Sequence, residues 1–389
     1  MSPEFDVAIV GAGPVGLLLA CLLQVRGLTV RVLERRTSPS IRSAAIGITP
    51  PSLRILDKLG LAGAFEEAGV KVRDCHLHGA RGHLGTVSFR DIPDPRRFIL
   101  SLPQAEVAAR LRSRLGEGVV IDGWELASLE QLPEGVRLRS TSGESVTARF
   151  AVGCDGGRGK VRELLGIRAP GRAYACHFAM ADYVDRSGLG DEAHLFFTPQ
   201  GSVESFPLPG GRRRWVVQTD DRLGDVPEGL VCRLARERAG VGPDPADRLP
   251  GASTFTPRRF HCSRYHEGRV ALCGDAAHGM TPAGGQGMNT GFADAEFLAE
   301  VLASADPLAL LPSYTRHRRR AAGAAIFRAG WGMSLGTWRG RPASWLRDLI
   351  LRRVLCSGPV GRRMGSFYAM LTIPHNTLDA VPPSALRVA

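Results

Sequence analysis

The stretch that decides the fold is Gly268-Arg-Val-Ala-Leu-Cys-Gly-Asp-Ala-Ala-His-Gly-Met-Thr-Pro-Ala-Gly-Gly-Gln-Gly-Met-Asn289. An apolar strand, Val270–Cys273, ends on Gly274-Asp275. A glycine-rich loop follows, and a helix is expected to begin near Asn289 or Thr290. A carboxylate at a strand end is well placed to accept hydrogen bonds from hydroxyl groups. The loop Pro282–Gly287 offers little side-chain obstruction, so a flat ring can lie against its backbone. The helix beyond it points a partial positive charge at whatever lies above, worth roughly 0.3–1 kcal/mol toward an anion and up to about 2 when partly buried.

The complementary signal is near the start of the chain. Gly11-Ala-Gly-Pro-Val-Gly16 follows a strand, Asp6–Val10, and opens a helix, Pro14–Gln24; a second strand, Thr29–Leu33, closes on Glu34. Gly11 permits the tight turn, Gly13 lets the backbone approach a pyrophosphate, and Gly16 lets helix and strand pack closely. Free N–H groups at the helix start face the phosphates. Glu34 can accept hydrogen bonds from adenosine ribose hydroxyls, and its charge disfavours a 2′-phosphate. This motif alone does not separate NAD from FAD. The segment around Asp275 does, because a flavin's ribityl chain and ring extend far beyond the first nucleotide site. Between the two lies Val152-Gly-Cys-Asp-Gly-Gly-Arg-Gly-Lys-Val-Arg162, a strand end and turn before a helix from Val161. Asp155 there holds backbone amides of the turn or meets the ribityl or pyrophosphate region through water; a plain Asp-Gly turn accounts for it equally.

The fold class expected is α/β: a Rossmann-like cofactor domain, an inserted antiparallel-sheet domain and a helical C-terminal segment. Short strands at Phe178–Val184, His194–Phe197, Val203–Phe206 and Arg214–Thr219, separated by Gly/Pro turns, make the insert. Residues 1–72, 98–172 and 260–389 are assigned to the cofactor domain, and 73–97 and 173–259 to the sheet domain. At 389 residues the chain is long enough for two joined domains, and 44% apolar residues suffice for a core. The net charge of +12 does not indicate nucleic acid: lysine occurs only at Lys58, Lys71 and Lys160, and the arginines are scattered. The densest run, Arg316-His-Arg-Arg-Arg320, is expected to be a solvated helix face. Eight cysteines without a C-x-x-C pair suggest a reducing cytoplasm. A strand beginning almost at once leaves no visible signal peptide, and the longest apolar run, Val15–Leu23, is too short to span a membrane. The helix Trp345–Leu355, with Leu346, Leu349, Ile350 and Leu351 on one face, is expected to pack on the cofactor domain. His278 has no second ligand at metal spacing, so no metal is expected. Monomer and homodimer both remain open.

Together the three segments resemble the class A flavoprotein monooxygenases of the p-hydroxybenzoate hydroxylase type, in motif order and over nearly the whole chain. The resemblance implies FAD as cofactor, with Gly11, Gly13, Val15 and Gly16 at the pyrophosphate and Glu34 and Arg35 flanking the adenosine. It implies Arg42 at the cofactor phosphate or flavin side, Gln104 and Asp275 at the ribityl, and Asp155 serving FAD and the nicotinamide reductant. The backbone of Gly287, Met288 and Asn289 would face the flavin. One departure stands out: the family usually carries serine where this chain has Gly159, which weakens a turn hydrogen bond. The chain also ends without the thioredoxin-like extension of some relatives. The implied reaction passes hydride from NADH or NADPH to FAD, forms a flavin hydroperoxide with O2, and transfers one oxygen atom to an aromatic or polyketide-like small molecule. Pro282 is the flavin-adjacent candidate, its backbone meeting a phenolate or the hydroperoxide. Phe196, Phe206 and Trp215 are candidates for the substrate ceiling, and His177 and His194 for a phenol base. A same-fold reductase of prenyl double bonds, a flavin halogenase and a non-enzymatic prenyl-protein carrier share parts of the pattern; a carrier would tolerate loss of Glu34 or Asp275, whereas both are present.

Overall fold

A computed structural model describes residues 3–38, 45–356 and 358–373. The first strand, Phe5–Val10, runs parallel to Val30–Glu34 on one side and to Ser145–Gly153 on the other. Val120–Asp122 and Val270–Leu272 extend the parallel sheet at either end. Val7, Ala8 and Ile9 have no solvent exposure, as expected of a strand covered on both faces. A hairpin, Leu126–Leu132 with Gly135–Ser140, joins the long strand 145–153 antiparallel. The helix Pro14–Val25 packs over the sheet against the helices Gln104–Arg114 and Gln286–Leu302.

The inserted sheet has seven strands in the order 253–255, 177–184, 212–219, 201–208, 193–198, 74–79, 82–88. Residues 74–88 therefore belong to it although they lie far away in the chain. It is not wholly antiparallel: Ala193–Thr198 pairs parallel with Asp74–Gly79, because the two segments reach the same edge from different excursions out of the cofactor domain. Helix Leu230–Ala239 covers one face of this sheet. The other face looks toward the cofactor domain.

Three expectations change. The helix after the glycine loop begins at Gln286, earlier than Asn289, because Ala283–Gly285 tightens into a single 3₁₀ turn and Gly285, at φ 64°, serves as its N-cap. The helix Arg341–Ile350 packs through Ile350 and the following Leu351 on the inserted sheet, beside Leu77, Val87 and Phe197, and not on the cofactor domain. Leu346 and Leu349 stay exposed. The arginine run is not a uniformly solvated face: Arg318 is 1% exposed, and its Nε lies 2.7 Å from Asp294 Oδ1.

The same aspartate accounts for His278. Its Nε2 lies 2.5 Å from Asp294 Oδ2, and both residues are fully buried. Burial raises the Asp294 carboxyl, but the adjoining His278 and Arg318 outweigh it and hold the group below the usual aspartate range. Asp294 thus ties the helix 286–302 to the turn after Asp275 and to the long helix Pro307–Gly336. Replacing Asp294 by alanine removes the carboxylate from a buried guanidinium and should cost about 3–5 kcal/mol of stability, read as a lower urea midpoint; a midpoint within error of the wild type would refute this role.

Candidate active site

One cavity of about 1890 Å³ joins the two remote motifs. Gly11, Gly13 and Val15 line it, as do Glu34, Arg35, Gln104, Asp155, Asp275, Pro282, Gly287, Met288 and Asn289. The physical link is Val15. Its Cγ1 lies 3.1 Å from where a Cβ on Gly274 would stand, and its Cγ2 lies 2.6 Å from where a Cβ on Gly291 would stand. The glycine turn of the first strand and the Gly-Asp end of the last one therefore meet through one isopropyl group.

The glycines divide by task. Gly11 has φ 110°, and a Cβ there would lie 2.5 Å from the Cys154 carbonyl oxygen. At Gly16 a Cβ would lie 2.1 Å from the Gly11 carbonyl oxygen. Both are packing constraints. A Cβ at Gly13 would meet nothing within 4 Å, so its backbone faces open cavity. The helix starting at Pro14 has no side-chain cap, and its first internal bond is Leu17 N–H to the Gly13 carbonyl at 2.9 Å. The N–H groups of Val15 and Gly16 precede that bond and remain for an anion.

Glu34 is already tied to this turn. It accepts from the Ala12 N–H at 2.8 Å and from the backbone N–H and Nε of Arg36 at 3.0 and 2.9 Å. Burial raises its carboxyl, but these bonds prevail and hold it below the usual glutamate range. Oε2, with the Ala12 N–H as its one donor, keeps a lone pair for a ribose hydroxyl, whereas Oε1 is filled by Arg36. Arg35 lies exposed at the cavity rim. Arg42 lies outside the described residues. Gln104 Oε1 accepts from the Ala45 N–H at 3.4 Å at the cavity wall.

Asp155 caps the helix that follows it. Its Oδ2 accepts from the Val161 N–H at 3.0 Å, and its buried Oδ1 has no hydrogen-bond partner among the described residues. Burial pushes its carboxyl above the usual aspartate range. Gly159 now has a reason: a Cβ there would lie 2.3 Å from Asp155 Oδ1. A serine at 159 would force the carboxylate aside, whereas glycine lets it close over the helix start and replace the missing cap.

Asp275 presents its side chain to the open cavity, between buried neighbours, and has no hydrogen-bond partner among the described residues. Burial raises its carboxyl above the usual range, with His278 opposing and Asp294 adding to the rise. The helix beginning at Gln286 has no side-chain cap and no acid in its first turn. Its first N–H groups, including those of Gly287, Met288 and Asn289, are donors without intrahelical partners. The Asn289 side chain is engaged elsewhere: Oδ1 accepts from Ser52 Oγ at 2.7 Å and Thr49 N at 2.9 Å, and Nδ2 donates to the carbonyls of Gly47 and Gly285. Only its backbone is left for a ligand. Pro282 lines the cavity, and its carbonyl accepts from the Gly285 N–H at 2.9 Å. Proline has no N–H, so this backbone can accept from a hydroxyl but cannot stabilise a phenolate.

The ceiling candidates separate by strand alternation. Phe206 lines the cavity. Phe196 and Trp215 do not; they point to the opposite face and pack with Val231 and Ala235 of the covering helix. His194 shares that face, 3.1 Å from His78 Nε2, and so is not placed to act as a phenol base. His177 lines the cavity and bonds Thr256 Oγ1 at 2.8 Å. The sequence reading missed Phe178, Met180, Leu195, Phe197, Val216 and Glu204, all on the cavity side. The period-two pattern held that information, but nothing in the sequence marked which row faced inward.

Two sets of uncapped helix donors, an open glycine and two carboxylates with unpartnered oxygens fit a long group with a pyrophosphate at one end and hydroxyls and a flat ring at the other. The protein is thus of the flavin-holding dinucleotide-binding class. The chain belongs to the FAD binding domain family, whose pattern matches residues 4–329. It is 37% identical over 317 residues to the 6-methylpretetramide 4-monooxygenase of Streptomyces rimosus, covering 78% of this chain and 57% of that protein. It is 34% identical over 340 residues to a 12-dehydrotetracycline 5-monooxygenase/anhydrotetracycline 6-monooxygenase of the same species, covering 81% and 67%. The Diels-Alderase PyrE3 of the pyrroindomycin pathway superposes with a TM-score of 0.80 at 28% identity, covering 94% of this chain and 80% of that one. The chain thus spans little more than half the length of the first relative.

Replacing Asp275 by alanine should weaken FAD binding about 10- to 100-fold, the value of roughly 1.5–3 kcal/mol for bonds to a charged acceptor. Quenching of flavin fluorescence on titration into apoprotein measures it; unchanged affinity would remove Asp275 from the ribityl.

Proposed function

We propose that this protein is a monooxygenase that uses FAD, NADH or NADPH, and O2 to place one oxygen atom in an aromatic or polyketide-like small molecule, hydroxylation foremost. The observation that carries it is the shape of the cavity. Its volume exceeds the roughly 300–1,000 Å³ of a site for one drug-sized ligand. One end is polar and anion-binding. The other is an apolar chamber under the inserted sheet, walled by Phe178, Met180, Leu195, Phe197, Phe206 and Val216. A cofactor and a second organic molecule can lie end to face in it.

FAD, when bound, accepts hydride and supplies activated oxygen; the chain's residues bind, orient and shield. The donors of Gly287 and Met288 favour negative charge at the edge of a flat ring placed over them, by up to about 2 kcal/mol. That is roughly 40 mV for a two-electron couple, so the helix tunes and does not create reactivity. The apolar ceiling excludes water from the reacting face. In this reading the Pro282 carbonyl orients a substrate hydroxyl. Eight free cysteines accord with a cytoplasmic setting, and among the described residues no helix is long and apolar enough to cross a membrane.

A second reading, ring closure in the same chamber with FAD held but not turned over, is favoured by the likeness to a Diels-Alderase. The purified protein should be yellow. With NADH or NADPH, labelled O2 and a panel of aromatic polyketides, mass spectrometry should show products heavier by one labelled oxygen atom. Consumption of reductant without oxygen uptake would indicate the prenyl-type reductase; product of unchanged mass would indicate ring closure; a colourless protein that takes up no FAD would indicate a carrier.

A further inference from the structure

Among the described residues, Glu204 is the one carboxyl that the strands of the inserted sheet present to the cavity. It sits on the strand Gly201–Leu208, directly opposite Leu195 on one neighbouring strand and Val216 on the other, and all three line the cavity. No hydrogen bond or ion pair engages it among the described residues. The charged groups on the elements packed against its strand are spoken for: Arg214 is bidentate to Asp182, and Lys71 is paired with Glu66 at 3.0 Å. The nearby Cys75 thiol and Tyr368 hydroxyl are both pushed by burial to about 12, so they remain neutral. A carboxyl in such a place is costly unless a ligand completes it. A leucine would pack there without that cost.

We propose that Glu204 is the catalytic base of this site, accepting first the hydrogen bond and then the proton of a phenolic or enolic hydroxyl on the substrate. The substrate O–H bond breaks, the proton goes to a Glu204 carboxylate oxygen, and the electron pair stays on the substrate oxygen. Delocalised into the ring, that pair enriches the carbon that is to receive oxygen. The assignment rests on the monooxygenase reading for the reaction but not for binding. It also narrows the substrate class: the group under the sheet carries a hydroxyl and no carboxylate, because a second anion there would face Glu204 in a medium of low polarity. Burial alone pushes the Glu204 carboxyl up to about 7, matched to abstraction near neutral pH. Its ionised, accepting form therefore grows as pH rises from 6 to 8.

The test uses the FAD-loaded protein and two probes, 2-naphthol and 2-methoxynaphthalene, the second lacking the proton. Affinities come from the change in flavin absorbance at pH 6 and pH 8. The wild type should prefer 2-naphthol, with the preference rising roughly tenfold between the two pH values as the carboxyl ionises. Glu204→Gln should lower that preference roughly tenfold at pH 8 and flatten its pH dependence, with FAD content and affinity for the methyl ether unchanged. Glu204→Asp, shorter by one methylene but still ionisable, should keep the pH dependence at lower affinity, and it carries the test if the glutamine variant loses FAD. The proposal is overturned if Glu204→Gln binds both probes as the wild type does, if the wild type does not distinguish them, or if it binds neither. Labelled-oxygen incorporation is scored separately: its absence alongside an intact Glu204-dependent preference sinks the monooxygenase reading and leaves the proton acceptor standing.

Discussion

The contact on which the rest depends is the seat of Val15 against Gly274 and Gly291. Three chain segments, distant in sequence, crowd around the first turn of one helix. No side chain fits at Gly11 against the Cys154 carbonyl, at Gly16 against the Gly11 carbonyl, or at Gly291 against Val15. Because those positions are bare, the strands 5–10, 145–153 and 270–272 end side by side, and their three turns open into the same space. The carboxylates of Asp155 and Asp275 are then delivered to one cavity by backbone geometry, before any ligand contributes.

Much of this was legible in the chain. The glycine turn with Glu34, the Asp155 turn and the Gly274-Asp275 strand end each carry a local signature, because their tasks are set by backbone conformation and spacing. The parallel sheet follows from unbroken apolar strands such as Val7–Val10. What stayed hidden depended on facing. Phe196, Trp215, Phe206 and Glu204 lie on strands whose two sides are both enclosed and both mix polar with apolar residues, so alternation alone could not say which row meets the cavity. Arg318 was hidden for a related reason: within a run of basic residues, burial is decided by the position of Asp294, 24 residues earlier on another helix. The early start of the helix at Gln286 came from a glycine pair that reads as loop yet coils into a 3₁₀ turn.

Gly159 shows how an apparent loss is a rearrangement. Where the family resemblance leads one to expect a hydroxyl cap, the helix start is instead served by Asp155 from four residues upstream, and the smaller residue gives the carboxylate its space. The other oxygen of Asp155, buried against Gly159, has no hydrogen-bond partner among the described residues, and the residue itself lines the cavity. One residue thus closes a helix and offers a ligand contact.

The inserted sheet has two rows of side chains with separate duties. The back row, His78, Phe196 and Trp215, stacks and packs beneath its covering helix, while the front row, Leu195, Glu204 and Val216, lines the chamber. Neighbouring residues along a strand therefore answer to different pressures. The front row is free to drift in size and polarity as ligands change, with the scaffold behind it untouched, so that new specificities are reached by altering every second residue.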